Sequence, residues 1–258
     1  MEQTKSADGT TIAFDRSGEG PALILVSGAL SDGSTGIPLA DRLAPTFTVY
    51  RYDRRGRGSS GDTSPYAAER EIEDLGAVIA EAGGSARVFG HSSGAALALE
   101  AAARKLPIAK LAVYEPPYVL GSDRPLPAPD LAARLHDLVS TGQRGEAVTL
   151  FMVEGVGMPP EMAAGMASSP VWPPMEALAH TIPYDVAIVA NYAVPAERLA
   201  TIRIPTLAID GGASPDWARH AVREVASIIP GARHLTLGGQ THIADVQVLA
   251  PVLAEFLS

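Results

Sequence analysis

The sequence predicts an α/β protein with a mostly parallel, twisted sheet and helices on both of its faces. Two observations support this fold class. Short apolar stretches alternate with amphipathic stretches up to about residue 120 and again from residue 206, which is the pattern of strands wound with helices. Residues 22–26 form a continuous apolar run, which is typical of a strand buried on both faces. The chain has 258 residues, 47% of them hydrophobic, which is enough for one large domain of this class.

Each predicted element follows from its own local pattern. After the turn signal Asp8-Gly9, alternation predicts a strand over residues 10–14, which we expect to pair with a neighbour near residues 15–17. Further strands are predicted at 22–26, 47–52, 87–89, 110–114, 206–210 and 233–237, and helices at 37–43, 66–82, 95–105, 215–229 and 246–257.

Four polar residues lie at the carboxyl ends of predicted strands: Ser27, Asp53, Ser92 and Glu115. In parallel sheets wound with helices, ligand and active sites collect at the carboxyl ends of the strands. We therefore expect these four residues to lie at the edge of the sheet that carries the functional site.

The strand pattern stops after residue 120. A proline-rich stretch over 121–129 is followed only by helical periodicities, at 131–139, 146–153, 161–166, 175–178 and 185–192. We expect residues 1–120 and 198–258 to form the core domain and residues 121–197 to form an all-helical cap. Trp172 and the methionines of this segment either line a pocket for a small or medium apolar group or pack the helices onto each other.

Composition excludes several classes of protein and site. The net charge of −9 argues against nucleic acid and anionic membranes as partners. The absence of cysteine excludes disulfides, thiolate metal sites and a cysteine nucleophile. The first nine residues lack the apolar run of a signal peptide, and no stretch is long enough to span a bilayer. We expect a cytoplasmic protein with a small-molecule substrate, no metal and no cofactor, and we leave monomer and homodimer open.

The most informative motif lies at residues 87–99, where a short apolar strand, a Gly-x-Ser-x-Gly pattern and a helix of small residues follow one another. In that context the pattern predicts a nucleophile elbow. Gly90 and Gly94 would relieve the crowding of a sharp turn, and Ser92 would stand at the start of the following helix. Unpaired N–H groups gather there, and they stabilise a nearby anion.

With this motif, the chain resembles the α/β-hydrolase superfamily. The resemblance also covers the loop over 26–29, the stretch Tyr52-Asp53-Arg54-Arg55-Gly56-Arg57-Gly58, the helical cap, and the loop Gly239-Gln240-Thr241-His242. It implies an α/β-hydrolase fold, in which the serine precedes the histidine along the chain.

The resemblance implies a role for several residues. His242 would be the general base for Ser92, because it lies in the loop after the last strand. The N–H groups of Ala29 and Ser93 would form the oxyanion hole. Gly28 and His91 would shape the substrate pocket, together with Trp172. The family's loop usually starts His-Gly, whereas this chain has Ser27-Gly28.

The carboxylate that would orient His242 and complete a catalytic triad with Ser92 is less directly indicated. The family usually carries it in a Gly-x-x-Asp pattern after the strand at 206–210, but Ser214 stands at that position here. Some members carry the acid at the end of the strand after the elbow, where this chain has Glu115. We therefore favour Glu115 and keep Asp216 and Asp210 as alternatives.

The arginine-rich turn at residues 54–58 has two interpretations. It is either an anion site or a structural turn whose guanidinium groups bond backbone carbonyls and Asp53. We favour the structural turn.

Taken together, these motifs predict a serine hydrolase that cleaves an ester-type bond, as a carboxylesterase or lactonase does, through an acyl-enzyme on Ser92. Ser92 argues against displacement at sp³ carbon, which needs a carboxylate at the elbow. The alternative is a non-hydrolytic protein of the same fold, either a cofactor-free lyase or cyclase or a small-molecule receptor, because fold does not fix function.

Overall fold

The computed structural model describes residues 1–121 and 123–258, so Ser122 of the predicted proline-rich stretch lies outside the described residues. One sheet is formed by the strands β1 (Glu2–Lys5), β2 (Thr11–Ser17), β3 (Ala22–Val26), β4 (Thr48–Tyr52), β5 (Ala86–His91), β6 (Ile108–Tyr114), β7 (Thr206–Gly211) and β8 (Arg233–Leu237). Their order across the sheet is β1-β2-β4-β3-β5-β6-β7-β8. Strands β3 to β8 run parallel to one another, and β2 pairs in antiparallel fashion with both of its neighbours, β1 and β4. The predicted mostly parallel sheet is confirmed.

The antiparallel edge differs from the prediction. Residues 15–17 are not a partner of the strand at 10–14 but its continuation in β2, where Asp15 pairs with Arg51 of β4. The other neighbour of β2 is β1, in which Glu2 pairs with Phe14. β1 was not predicted, because its four residues are polar and mostly exposed, as is common for an edge strand.

Helices cover both faces of the sheet. They are α1 (Ile37–Leu43), α2 (Ala68–Glu81), α3 (Ser93–Ala103), α4 (Leu131–Ser140), α5 (Arg144–Leu150), α6 (Pro160–Met166), α7 (Trp172–Ala177), α8 (Ile182–Val189), α9 (Ala196–Leu199), α10 (Asp216–Ile228) and α11 (Val246–Leu257). Successive side chains of β3 point to opposite faces. Leu23 and Leu25 pack in the apolar cluster with α1 and α11, and Ile24 and Val26 pack in the cluster with α2, α3 and α10.

A long segment between β6 and β7, here called the helical insertion (residues 115–205), contains helices α4 to α9 and no strand among its described residues. A single π-helical turn, Phe151–Gly155, follows α5. Pro173 and Pro174 were expected from the sequence to separate two helices. Instead they lie in the first turn of α7, where a missing N–H costs no hydrogen bond. Helix α8 packs against α2 and α3 and so joins the insertion to the sheet's helical layer. Within the described ranges, every helix is too short or too polar to cross a bilayer.

Candidate active site

Ser92 lies between β5 and α3 with backbone angles φ 56° and ψ −123°. A positive φ is uncommon for a residue other than glycine and costs about 1–3 kcal/mol. The flanking glycines make the turn possible. A Cβ at Gly90 would lie 2.5 Å from the Gly94 carbonyl oxygen, and a Cβ at Gly94 would lie 2.4 Å from that of Val26. The strand, the turn and the helix of the predicted elbow are therefore all present.

Glu115 and His242 form a direct pair. His242 Nδ1 lies 2.7 Å from Glu115 Oε2, and the Gly211 N–H donates to Glu115 Oε1 at 2.8 Å. The Glu115 side chain is 1% exposed, whereas that of His242 is 42% exposed. Glu115 has a φ of 44°, so its backbone is also in the left-handed region.

The environment of Glu115 stabilises its charged form. Burial alone would raise the pKa of this carboxyl, but the hydrogen bonds from His242 and from the Gly211 N–H hold the pKa below its usual range. A carboxylate held in this way fixes one imidazole tautomer, with the proton on Nδ1, which leaves His242 Nε2 unprotonated and able to accept a proton.

In the part of the chain that the structure describes, the Ser92 side chain is not hydrogen-bonded to His242. His91, which directly precedes Ser92 in the sequence, has its ring centroid 4.7 Å from that of His242. Hydrogen bonds between serine and base are often loose without a bound substrate.

The two alternative acids lie elsewhere. Asp216 is the first residue of α10, its side chain is 81% exposed, and it pairs with Arg219. Asp210 is buried at the end of β7 and bonds His234, with Arg219 Nε 3.8 Å away. Neither contacts His242 among the hydrogen bonds and ion pairs of the described residues. Only Glu115 of the three predicted acids is in place to orient the imidazole.

The two predicted oxyanion donors are backbone N–H groups at the same edge. Ser93 is the first residue of α3, so its N–H has no acceptor in the preceding turn. Ala29 lies in the loop after β3, just before Leu30, whose φ is 55°. In the described part of the chain, neither N–H donates to a protein acceptor. Both groups therefore remain available to a ligand.

His91 is a neutral neighbour of this pair. Its Nε2 lies 2.9 Å from the His242 carbonyl oxygen, which only accepts, so Nε2 carries the proton. Burial, reinforced by the nearby His242, lowers the pKa of His91 to about 4. The side chain therefore holds the loop that carries His242.

The residues predicted to form the pocket are not all together. Gly28 and His91 border a cavity of about 370 Å³ on the side of the sheet covered by α1 and α11. Trp172 does not line this cavity. It is buried within the helical insertion, where its indole N–H donates to Glu176 at 2.9 Å.

The arginine-rich turn is structural, as favoured, but its partners were predicted only in part. Arg54 and Arg57 donate to the carbonyl oxygens of Ser27 and Gly28, at 3.2 and 2.7 Å. Asp53 is not their partner. It accepts from the backbone N–H groups of Gly33 and Ser59, at 2.8 Å each.

The acidic partners of these arginines come from elsewhere in the chain. Arg54 pairs with Glu71 of α2, and both Arg54 and Arg57 pair with Asp185 of α8. Ser93 Oγ donates to the same Asp185 carboxylate at 2.7 Å. Asp185 was not predicted as part of the site, although an acid within the apolar stretch of α8 is a signal for a buried charge partner.

Among the described residues, no group of three or more histidine and carboxylate side chains is arranged to hold a metal ion.

Comparison with known proteins gives the context for this arrangement. The sequence profile of the Alpha/beta hydrolase family matches residues 23–246. A solved structure, an alpha/beta hydrolase from Sphaerobacter thermophilus DSM 20745, is 57% identical over 100% of both chains, with a TM-score of 0.96.

Two functionally named relatives match more locally. The pimeloyl-[acyl-carrier protein] methyl ester esterase of Xanthomonas campestris pv. campestris is 39% identical over 115 residues, which cover 43% of this chain and 44% of the esterase. The N-formylmaleamate deformylase of Pseudomonas putida is 40% identical over 104 residues, 39% of each protein. The chain thus spans less than half of the length of these relatives. Because the family profile covers most of its residues, the chain belongs to the Alpha/beta hydrolase family.

Proposed function

We propose that this protein is a serine hydrolase that cleaves an ester-type bond of a small to medium apolar substrate through an acyl-enzyme on Ser92. The observation that carries the proposal is the buried Glu115 carboxylate bound to His242 Nδ1 beside the strained Ser92 turn. Such a pairing of a nucleophile, a base and an orienting acid is recognised by geometry rather than by position in the sequence.

The proposed reaction begins with Ser92 Oγ attacking the carbonyl carbon of the ester. His242 Nε2 takes the serine proton and returns it to the leaving alcohol, while Glu115 holds the imidazole and stabilises its charged form. The N–H groups of Ala29 and Ser93 would bind the oxyanion that forms. Water, activated by His242, then releases the acid and restores Ser92.

The choice of an ester-type bond rests on the nucleophile and on the relatives. A serine hydroxyl suits acyl transfer, because the tetrahedral intermediate places negative charge on an oxygen near N–H donors. The methyl ester esterase and the deformylase are both named for cleavage at an acyl carbon. Because these matches cover less than half of either relative, they support acyl transfer as the class of reaction and not the identity of the substrate.

The helical insertion is the proposed cap of this site. It joins the sheet at β6 and β7, directly beside Glu115 and Gly211, and α8 contacts the elbow through Asp185 and Ser93. Its partly buried methionines, Met152, Met166 and Met175, pack against the main apolar cluster. Flexible thioether side chains at that boundary fit an apolar acyl or alcohol group.

The test is hydrolysis of p-nitrophenyl esters with acyl chains from two to eight carbons. We expect turnover by the wild type, with a preference for short or medium chains, and loss of turnover in Ser92→Ala. Ser227→Ala, which alters an exposed serine of α10, is the matched control and should keep the wild-type rate. If Ser92→Ala retains the rate, or if the wild type cleaves no ester, the proposal is wrong and the lyase or receptor alternative takes its place.

A further inference from the structure

Asp185 is a buried carboxylate that links the helical insertion to both predicted oxyanion donors. Its side chain is 2% exposed. Oδ1 accepts from Arg54 Nη1 at 2.8 Å, from Arg57 Nη2 at 2.9 Å and from Ser93 Oγ at 2.7 Å, and Oδ2 accepts from Arg57 Nη2 at 2.8 Å. One carboxylate from α8 therefore binds three groups that belong to the sheet's carboxyl edge.

The first link runs through Arg57 to the loop after β3. Arg57 Nη1 donates to the Gly28 carbonyl oxygen at 2.7 Å. That carbonyl shares one planar peptide unit with the Ala29 N–H, and this peptide is trans. In a planar trans peptide the C=O and N–H bonds point in opposite directions. By holding the Gly28 oxygen, Arg57 therefore fixes the direction of the Ala29 N–H.

The second link runs through the Ser93 side chain. Ser93 Oγ donates to Asp185 on one side, and the N–H of the same residue is the other predicted oxyanion donor. The hydroxyl is buried, and Arg54 Nη1 lies 3.3 Å from it. The bond to Asp185 thus fixes the first residue of α3 against rotation about the strained Ser92 backbone.

Charge balance explains why Asp185 is needed for this geometry. The buried cluster contains two cations, Arg54 and Arg57, and two anions, Glu71 and Asp185. Burial acts to raise the pKa of Asp185, but the two guanidinium groups hold the pKa below its usual range. Without the Asp185 charge, one buried guanidinium would lose its partner, which is costly in the protein interior. Arg57 would then move towards water or other acceptors and release the Gly28 carbonyl.

We propose that Asp185 is a positioning residue that aligns the Ala29 and Ser93 N–H groups, so that the oxyanion hole is complete only when the helical insertion is docked. This inference rests on the proposed function, because it takes the two N–H groups as oxyanion donors. Asp185 does not touch the substrate. It acts through Arg57 and Ser93.

The test compares Asp185→Asn with Asp74→Asn. Asp74 is an equally buried carboxylate that binds Arg55 in two places, at 2.7 and 2.8 Å, without contact to the Ser92 elbow or to the loop after β3. Both variants lose a buried charge pair, and both should be less stable. Only Asp185→Asn should affect the transition state. For p-nitrophenyl butyrate we expect kcat to fall about 10- to 100-fold with KM changed less than about threefold.

Two inhibitors distinguish a misaligned oxyanion hole from a general loss of binding at the site. Butylboronic acid forms a tetrahedral adduct on the serine and places an oxygen in the oxyanion hole, whereas p-nitrophenyl butyl ether lacks the carbonyl. In Asp185→Asn we expect the Ki of the boronic acid to rise by about the same factor as kcat/KM falls, and the Ki of the ether to stay within about twofold. Asp74→Asn should keep both Ki values.

These experiments distinguish a failure of the positioning role from a failure of the proposed hydrolase function. If the wild type hydrolyses the ester through Ser92 but Asp185→Asn keeps its kcat and its boronic acid affinity, the positioning role is overturned and the hydrolase proposal stands. If Asp185→Asn does not fold, Ser93→Ala decides the question, because it removes one hydroxyl and no charge. Weaker boronic acid binding with unchanged ether binding in Ser93→Ala would support the role, and unchanged binding of both would overturn it. If the wild type cleaves no ester, both proposals fail.

Discussion

His242 Nδ1 and Glu115 Oε2 lie 2.7 Å apart, although 127 positions separate the two residues in the sequence. The sheet brings them together, because β6 ends at Tyr114 next to β7, and β7 pairs with β8, which leads into the loop of His242. The Gly211 N–H at the end of β7 holds the other oxygen of Glu115. This geometry favours Glu115 over Asp216 and Asp210 as the acid of the proposed site.

Replacing Glu115 by glutamine should remove most of the activity. Glutamine keeps the size of the side chain but loses the charge that stabilises the imidazolium and fixes the tautomer. We expect kcat for p-nitrophenyl butyrate to fall by about 10²- to 10⁴-fold. Steady-state kinetics of Glu115→Gln measures this. Asp216→Asn is the control, since Asp216 is exposed on α10, and near-full turnover in Glu115→Gln would contradict the assignment.

A carboxylate at position 214 should restore part of that loss. Ser214 is buried and stands where the family usually has its acid, and its backbone N–H donates to the carbonyl oxygen of Gly211, the residue whose N–H binds Glu115. In the double variant Glu115→Gln/Ser214→Asp we expect kcat at least about tenfold above that of Glu115→Gln alone, because the introduced carboxylate then takes over the role of Glu115 towards the imidazole. Ser214→Asn in the same background is the uncharged control. Equal rates for the two double variants would show that position 214 cannot supply the acid.

Gly94→Ala should strongly destabilise the elbow. A Cβ there would lie 2.4 Å from the Val26 carbonyl oxygen and 2.5 Å from that of Ser27, and both are backbone atoms that cannot turn away. We expect urea unfolding to show a loss of about 3 kcal/mol or more in the free energy of unfolding. The control is Gly165→Ala in α6, where a Cβ has nothing within 4 Å and a change of less than about 1 kcal/mol is expected. Equal stability of the two variants would contradict this packing.

The stability of the fold should fall as the pH drops from about 6.5 to about 4 because of His91. Its pKa is lowered from 6.5 to about 4 in the folded chain, so in this range the unfolded chain binds more protons and the free energy of unfolding decreases with falling pH. His91→Gln keeps a donor for the His242 carbonyl but does not titrate. Urea unfolding at pH 7 and pH 4.5 should therefore show a smaller pH-dependent loss in the variant. An identical loss in both proteins would assign the effect to other groups.

The elbow and the parallel sheet could be predicted from the sequence because both follow from local patterns. Gly90, Ser92 and Gly94 signal a sharp turn within a few residues, and apolar runs such as 22–26 signal buried strands. Glu115 could be predicted only because the usual acid position holds Ser214. The polar edge strand β1 gives no such signal, because its pairing with β2 satisfies the backbone without burying an apolar face.

The ionic cluster around Asp185 could not be predicted, because it depends on contacts that no local pattern encodes. Asp185 is 128 positions from Arg57 and 92 from Ser93. The arginines of the turn were expected to bond the adjacent Asp53, but the backbone N–H groups of Gly33 and Ser59 occupy that carboxylate. Which acid meets which arginine is set by the docking of α8 on α2 and α3.

The most direct test of the central claim is covalent labelling of Ser92. The wild type and Ser92→Ala are treated with a fluorophosphonate, and the adduct is counted by intact mass and located by peptide mass spectrometry. A serine activated by His242 and Glu115 should react once per chain, at Ser92, and the label should be absent from Ser92→Ala and strongly slowed in Glu115→Gln. A wild-type protein that carries no label, or carries it on another residue, would contradict the assignment of Ser92 as the nucleophile.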